Sequence, residues 1–359
     1  MMLVRVWGNS TMYEIPSDCF LGHRHNERIS PEDQRRQRQE VEEVLRRFDT
    51  MPGIVLADEV GMGKTYVALA IAYAAARGNS SGPVVIMVPT GLVDKWIGDL
   101  TTFTELYLDN RTVINCRGGI DRKELRRRHV LRYGVARTAV EFFKFFDDPK
   151  QEQPHLLFLT QGAMSRGIDD GFVQLALIRE AFRRHGRRKR LQQVRRHVHK
   201  YTGELLWSKF RHKHSRLKKD LWKLLLEHDP SRWMKLYNEN AVSEKHFLDD
   251  DPVPEPILNI LYDRSLLDLS VFADALEKIP VRARGGQERV SQRVGEARKS
   301  LRSAMEELWR LILSMAPWRS PLLILDEAHH LKNPDTRLAR LLRNPETDAD
   351  MVAGGGSLA

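Results

Sequence analysis

Short apolar runs alternate with helical stretches over the first half of the chain. Residues 54–57, 83–89, 112–116 and 155–160 read as strands, and 321–325 reads as a fifth much further on. Unbroken apolar runs of this length lack a polar face, so each must be covered on both sides, as in a parallel sheet. Between them lie an alanine-rich helical segment from about 65 to 76 and a second helical segment from 92 to 103. Ahead of the first strand, 31–47 is polar, with Val41, Val44, Leu45 and Phe48 at helical spacing, and Pro52-Gly53 breaks it. Strands alternating with helices predict an α/β fold with an open, mostly parallel sheet. Ligands of such sheets sit at the carboxyl ends of the strands.

The rhythm stops between 171 and 317. Strand signals fade there. Leu205, Leu206, Phe210, Leu217, Leu221, Leu224 and Leu225 recur at helical spacing, as do Leu301, Met305, Leu308, Ile312 and Met315. This predicts a large α-helical insertion, with the Asp/Pro-rich stretch 249–256 as a linker inside it. The expected organisation is a helical leader at 1–48 and the first part of the sheet lobe at 49–170. The basic insertion follows at 171–317, then the last strand and helix of the lobe at 318–345 and a truncated tail at 346–359.

Charge sharpens the picture. The 359-residue chain has a formal net charge of +10, which favours a polyanionic partner, nucleic acid ahead of an acidic membrane surface. The excess is concentrated in residues 179–223, which hold 17 Lys/Arg against three acids, Glu180, Glu204 and Asp220. Crowding of one sign favours contact with a phosphate backbone. The interleaved Tyr201, Trp207, Phe210 and Trp222 fit a local core better. His197/His199 and His212/His214 fit a solvated basic face better than a metal site, because residues two apart do not share a helix face. Cys19 and Cys116 give no disulfide framework or zinc-ligand set, and Cys116 reads as a buried thiol. The chain opens without the apolar run of a signal peptide, and no stretch approaches the roughly 18 apolar residues of a membrane span. The expected setting is a reducing cytoplasm of bacterial type, without a membrane partner.

Two motifs carry chemistry. The first is Asp58-Glu59-Val60-Gly61-Met62-Gly63-Lys64-Thr65, between the first strand and the alanine-rich helix. A phosphate loop is written G-x-x-x-x-G-K-[ST], and Asp58 stands where its first glycine would be. Gly61 and Gly63 let backbone N–H groups converge on phosphate oxygens, and the helix start adds its positive dipole end. Lys64 would reach the outer phosphates, and the Thr65 hydroxyl would hold Mg2+. The bland alternative is a glycine turn with a solvated lysine.

The second motif is Leu325-Asp326-Glu327-Ala328-His329-His330, at the end of the last strand. Asp326 would hold Mg2+, mostly through water, and Glu327 would orient or deprotonate the attacking water. Asp and Glu also favour any helix N-terminus, so this dyad alone says little. Its weight comes from the partner motif upstream.

The wording of these motifs resembles the Swi/Snf-type (sucrose non-fermenting) ATPases of helicase superfamily II. The phosphate loop of that family also carries Asp-Glu where others begin with glycine. Val88-Pro89 followed by Trp96 and Phe103 resembles its next segment, and Leu159-Thr160 resembles a threonine segment that contacts the DNA backbone. The run 325–333, Leu-Asp-Glu-Ala-His-His-Leu-Lys-Asn, resembles its long acidic motif of DEAH type. The resemblance covers roughly 53–170 and 321–335. It implies a RecA-like P-loop lobe, ATP and Mg2+ as cofactors, and a nucleic-acid partner, double-stranded DNA above all. His329 would couple nucleotide state to the nucleic-acid side, and Glu327, Lys64 and His329 would carry catalysis.

Three departures follow. The spacing from Thr160 to Asp326 is longer than the family core requires. The family's adenine-reading glutamine has three candidates, Gln34, Gln37 and Gln39. The segment that follows the acidic motif in the family, and the second lobe beyond it, are absent. The chain then reads as an N-terminal fragment, a truncated gene product, or one piece of a split motor whose second lobe another polypeptide carries, and is expected to hydrolyse ATP slowly or not at all on its own. The readings in other classes are a non-catalytic nucleic-acid-binding or interaction module left by truncation, and a phosphate-loop NTPase or kinase without nucleic acid.

Overall fold

The structure, a computed structural model, describes residues 2–6, 13–21, 30–51, 53–56, 63–78, 82–164, 167–168, 170–205, 219–241, 247–281 and 286–328. The chain divides into two compact units. One is Met1–Ser165 with Trp318–Ala359, and the other is Arg166–Pro317.

The first unit is built on a sheet whose described strands are β1 Met2–Val6, β2 Gly53–Leu56, β3 Val84–Val88, β4 Thr112–Asn115, β5 Val130–Ala136, β6 Leu156–Thr160 and β7 Leu322–Leu325. Their order is β2-β1-β7-β3-β6-β5-β4. From β7 to β4 every neighbouring pair is parallel. β1 is antiparallel to both β2 and β7, so β2 points the same way as the rest and β1 alone opposes them. The expected α/β class with a mostly parallel sheet and a helical insertion is thus observed, consistent with a RecA-like arrangement. β3, β6 and β7 are buried along their whole length, as their unbroken apolar sequences require.

Helices α1 Pro31–Arg47, α2 Lys64–Gly78, α3 Val93–Tyr107, α4 Arg122–Leu125 and α5 Ala139–Asp147 belong to this unit. α1 opens on Ser30, whose hydroxyl accepts the Asp33 N–H at 3.1 Å, and Pro31 takes the first turn, where its missing N–H costs nothing. Its apolar stripe of Val41, Val44 and Leu45 faces α2. α2 has no polar face, and every residue from Val67 to Ala75 is buried.

Two strands escape the sequence pattern. β1 lies in the segment expected to be a helical leader, which is therefore only partly helical. Residues 13–21 of the same leader are tied down. The Asp18 carboxylate accepts from the Tyr73 hydroxyl and from Arg111 Nε, each at 2.8 Å, and the Phe20 N–H donates to the Tyr107 carbonyl at 2.8 Å. Burial would raise the Asp18 pKa, but the Arg111 and Tyr73 donors outweigh it and hold the carboxyl below its usual range. β5 is hidden by Arg132 and Gly134, which interrupt its apolar run. The Arg132 guanidinium is satisfied by the carbonyls of Gln153 at 2.7 Å and Leu125 at 3.0 Å. Gly134 is needed because α5 lies so close that a Cβ there would sit 2.6 Å from the Phe145 ring.

The second unit is helical: α6 Gly171–His185, α7 Lys189–His197, α8 Thr202–Leu205, α9 Lys219–Glu227, α10 Trp233–Glu239, α11 Glu255–Tyr262, α12 Ser270–Glu277 and α13 Gly286–Met315. α13 buries the expected Leu301, Met305, Leu308 and Ile312. Trp233 is fully buried and donates its indole N–H to the Leu225 carbonyl at 2.7 Å. The stretch 249–256 is not a free linker. Pro252, Val253 and Pro254 are buried, and Glu255-Pro256 already form the first turn of α11, where proline is favoured.

His155 links this fold to pH. Its Nδ1 accepts the Arg132 backbone N–H at 2.9 Å, which requires the neutral ring. Burial, then the positive charges of Arg132, Arg77 and Arg111, push its pKa from 6.5 down to about 3. Between those values the unfolded chain binds a proton that the folded one refuses, so stability falls as pH falls below 6.5. From this group alone the expected loss is about 1.4 kcal/mol per pH unit. Urea unfolding at pH 7, 6 and 5 measures it, and His155→Asn, which keeps an acceptor without a titrating ring, is expected to flatten the dependence.

Candidate functional site

Both chemical motifs leave the sheet at one edge. β2 leads towards Lys64 and β7 leads into Asp326, and the two strands point the same way with only β1 between them. Two inter-strand steps separate their carboxyl ends by roughly 10 Å. Of the residues expected there, Gly63, Lys64, Thr65, Asp326 and Glu327 are seen, whereas Asp58, Glu59, Val60, Gly61, Met62 and His329 lie outside the described residues.

Lys64 and Thr65 are the first two residues of α2 and are half-buried. The first N–H groups of a helix have no partner within it, and the first turn of α2 contains no acidic residue to face them. A helix start with a lysine and no acid of its own favours an anion.

Asp326 is held at four points. Its Oδ2 accepts the Trp96 indole N–H at 2.9 Å, and its Oδ1 accepts the Glu327 N–H at 2.9 Å. Its own N–H donates to the Met87 carbonyl at 2.9 Å, extending the β3–β7 ladder, and its carbonyl accepts from Gln161 Nε2 at 2.6 Å. All these partners are neutral groups. Two of its four lone-pair sites remain for further ligands. This donor set fits Mg2+ held directly or through water. Trp96 is itself locked, 2% exposed and 6.2 Å from the Phe158 ring.

Glu327 sits at φ +52, in the left-handed region. For a residue other than glycine this costs about 1–3 kcal/mol, and such outliers concentrate at functional sites. The turn directs the chain sharply off the end of β7, leaving Glu327 half-buried beside Asp326.

The structure also separates the three glutamines. Gln37 is buried on α1, and a Cβ built on Gly63 would lie 2.3 Å from its Nε2. Gln34 is half-buried and Gln39 is exposed. Gln37 therefore borders the phosphate motif, and Gly63, at φ +79, is the residue type that both the backbone and this contact demand. Thr160, expected near nucleic acid, is 1% exposed, and its hydroxyl donates to the Arg137 carbonyl at 3.3 Å. Its neighbour Gln161, which sequence reasoning passed over, touches the acidic motif alongside Trp96. Cys116 donates weakly to the Glu152 carbonyl at 3.4 Å, and burial pushes its thiol up to about 12, which keeps it inert.

The basic stretch of the second unit proves partly structural. Arg183 and Arg184 clamp the buried Glu180 at 2.6 Å and 2.7 Å, and Arg184 also donates to the Leu267 and Asp263 carbonyls. Arg179 pairs with Asp229, Arg188 with Asp274, and Arg190 donates to the Glu277 and Ile279 carbonyls. Arg179, Arg184, Arg188 and Arg190 tie α6 and α7 to other segments of the unit, and Arg183 braces Glu180 within α6. Lys209, Arg211, Lys213, Arg216, Lys218, Trp207, Phe210, His212 and His214 lie outside the described residues.

Fold and site together define an α/β lobe with a lysine-bearing helix start and an acidic dyad at one sheet edge. Comparison with protein-family models, curated proteins and solved structures finds no match to this chain.

Two outcomes are expected. In a double-mutant cycle of Trp96→Phe and Asp326→Ala, urea unfolding should give a coupling energy of about 1.5–3 kcal/mol, the usual range for a hydrogen bond to a charged group. Glu327→Gly should raise stability by about 1 kcal/mol in the same assay, because glycine adopts the left-handed turn without strain.

Proposed function

We propose that this chain is the ATP-binding lobe of an ATP-dependent nucleic-acid translocase or helicase-like enzyme. Double-stranded DNA is the partner implied by the resemblance to Swi/Snf-type ATPases. The observation that carries the reading is the shared end of the sheet: β2 and β7 run the same way two strands apart, one towards the lysine-bearing start of α2 and the other into Asp326, which neutral groups anchor.

In this reading Lys64 and the first amides of α2 neutralise the outer phosphates. The Thr65 hydroxyl and Asp326 would hold Mg2+, which would supply charge neutralisation at the phosphates. Glu327, turned out of the strand by its strained backbone, orients the attacking water and accepts its proton. Gln37 reads adenine, since a primary amide offers the donor and acceptor that match the base's N7 and N6 groups. Among the described residues no helix is long and apolar enough to cross a membrane, and the reading requires none.

Nucleotide binding tests this directly. Titration of the purified chain with a fluorescent ATP analogue and Mg2+ should show saturable binding that Lys64→Ala weakens at least tenfold. Gln37→Ala should narrow the preference for ATP over GTP while leaving the fold intact by circular dichroism. Absence of binding in the unaltered chain would overturn the reading.

A further inference from the structure

The five structural arginines leave a smaller set of cations to explain. Arg195 and Arg196 on α7 and Lys223 on α9 are exposed, and among the described residues none of them makes an ion pair or donates to a carbonyl. They are not scattered. Together with His199 they line a single open groove of about 560 Å3 within the helical unit. Phe182 and Leu191, both buried, form its floor, and the exposed Glu227 is the one acid among its lining residues.

From this convergence we infer that the groove is a binding site for a phosphodiester strand, gripped by Arg195, Arg196 and Lys223. Three unpaired cations around one concavity repel one another, and a polyanion relieves that repulsion. The state of His199 agrees: burial first, then the charges of Lys200, Lys223 and His197, hold its ring below the usual histidine range against a single opposing acid, Asp220. The shape favours nucleic acid over a membrane surface. Lipid-binding faces project their apolar side chains outwards, whereas here the apolar residues lie at the bottom of a trough whose rim is charged. Sugars or bases of a strand would rest on that floor while successive phosphates meet the rim. The chemistry is common to a single strand and to one strand of a duplex. The inference deepens the proposed function by naming where its polyanion binds, but it needs neither ATP nor the acidic dyad.

The test uses the full chain and two labelled probes, a 15-nucleotide oligo(dT) and a 30-base-pair duplex, in fluorescence anisotropy from 50 to 300 mM KCl. A variant carrying Arg195→Ala, Arg196→Ala and Lys223→Ala should weaken binding by at least tenfold at 100 mM salt. It should also lower the slope of log K against log salt by about 2, since each lost phosphate contact removes about 0.7 for a single strand and 0.9 for a duplex. The control Arg187→Ala with Lys189→Ala removes two exposed cations that do not line the groove. It should leave the slope within about 0.5 of the parent. An equal loss in both variants, or no loss in the triple variant, overturns the groove while leaving nucleic-acid binding standing. No binding by the parent chain overturns both, and capture by phosphatidylserine vesicles without oligonucleotide binding assigns the groove to a membrane instead. Larger loss with oligo(dT) than with duplex identifies a single strand as the occupant, and the reverse identifies duplex. ATP-analogue binding by the triple variant should be unchanged, which separates failure here from failure of the nucleotide reading.

Discussion

The constraint on which the lobe is built is that Asp326 is fixed by neutral groups. Most ways of fixing an acid in a half-buried place use a lysine or arginine. Here the fixing is done by an indole N–H, two backbone groups and an amide side chain. The rest of the lobe can be understood from that requirement. Trp96 must present one edge to the acid, so α3 has to lie against β6, where Phe158 seats the ring. Met87 must supply a carbonyl, so β3 and β7 must be parallel neighbours in register. Gln161 must reach back to the Asp326 carbonyl, so β6 has to end level with β7.

The cost of this arrangement is local. Glu327 adopts a backbone conformation that most residues avoid, and Gly63 is compelled by a left-handed turn and by the buried amide of Gln37. Around these two points, of which Glu327 alone is strained, the supports are firm: α2 is buried along most of its length, and β3, β6 and β7 are covered on both faces. A rigid surround is what allows unfavourable geometry to persist.

Much of the fold was legible because its physics is periodic. Five strands announced themselves as apolar runs, and α1 and α13 as stripes at helical spacing. β5 was hidden because Arg132 and Gly134 look wrong for a strand until their neighbours are known: carbonyls at the sheet end for one, the Phe145 ring for the other. β1 gave no signal of its position, since nothing local tells a strand to lie between partners distant in sequence. The motifs placed Lys64, Thr65, Asp326 and Glu327 at one edge, but not the hydrogen bond of Trp96 or the role of Gln161, which depend on tertiary approach. Sequence charge misled in one respect. It counts all arginines alike, whereas Arg179, Arg183, Arg184, Arg188 and Arg190 serve as internal clamps.

The position of β1 has a consequence for biogenesis. Leu3 pairs with Val55 on one side and with Leu325 on the other. A ribosome must therefore release almost the whole chain before its first few residues can find their second neighbour. Until then β2, and the loop it carries, has no strand to join it to the remaining sheet. The helical unit is made in between and, with its local contacts, folds early. The β2 side of the sheet is thus the last part of the nascent lobe to close, and for that interval the edge of β7 stands open to any passing strand, a state that chaperones exist to shield.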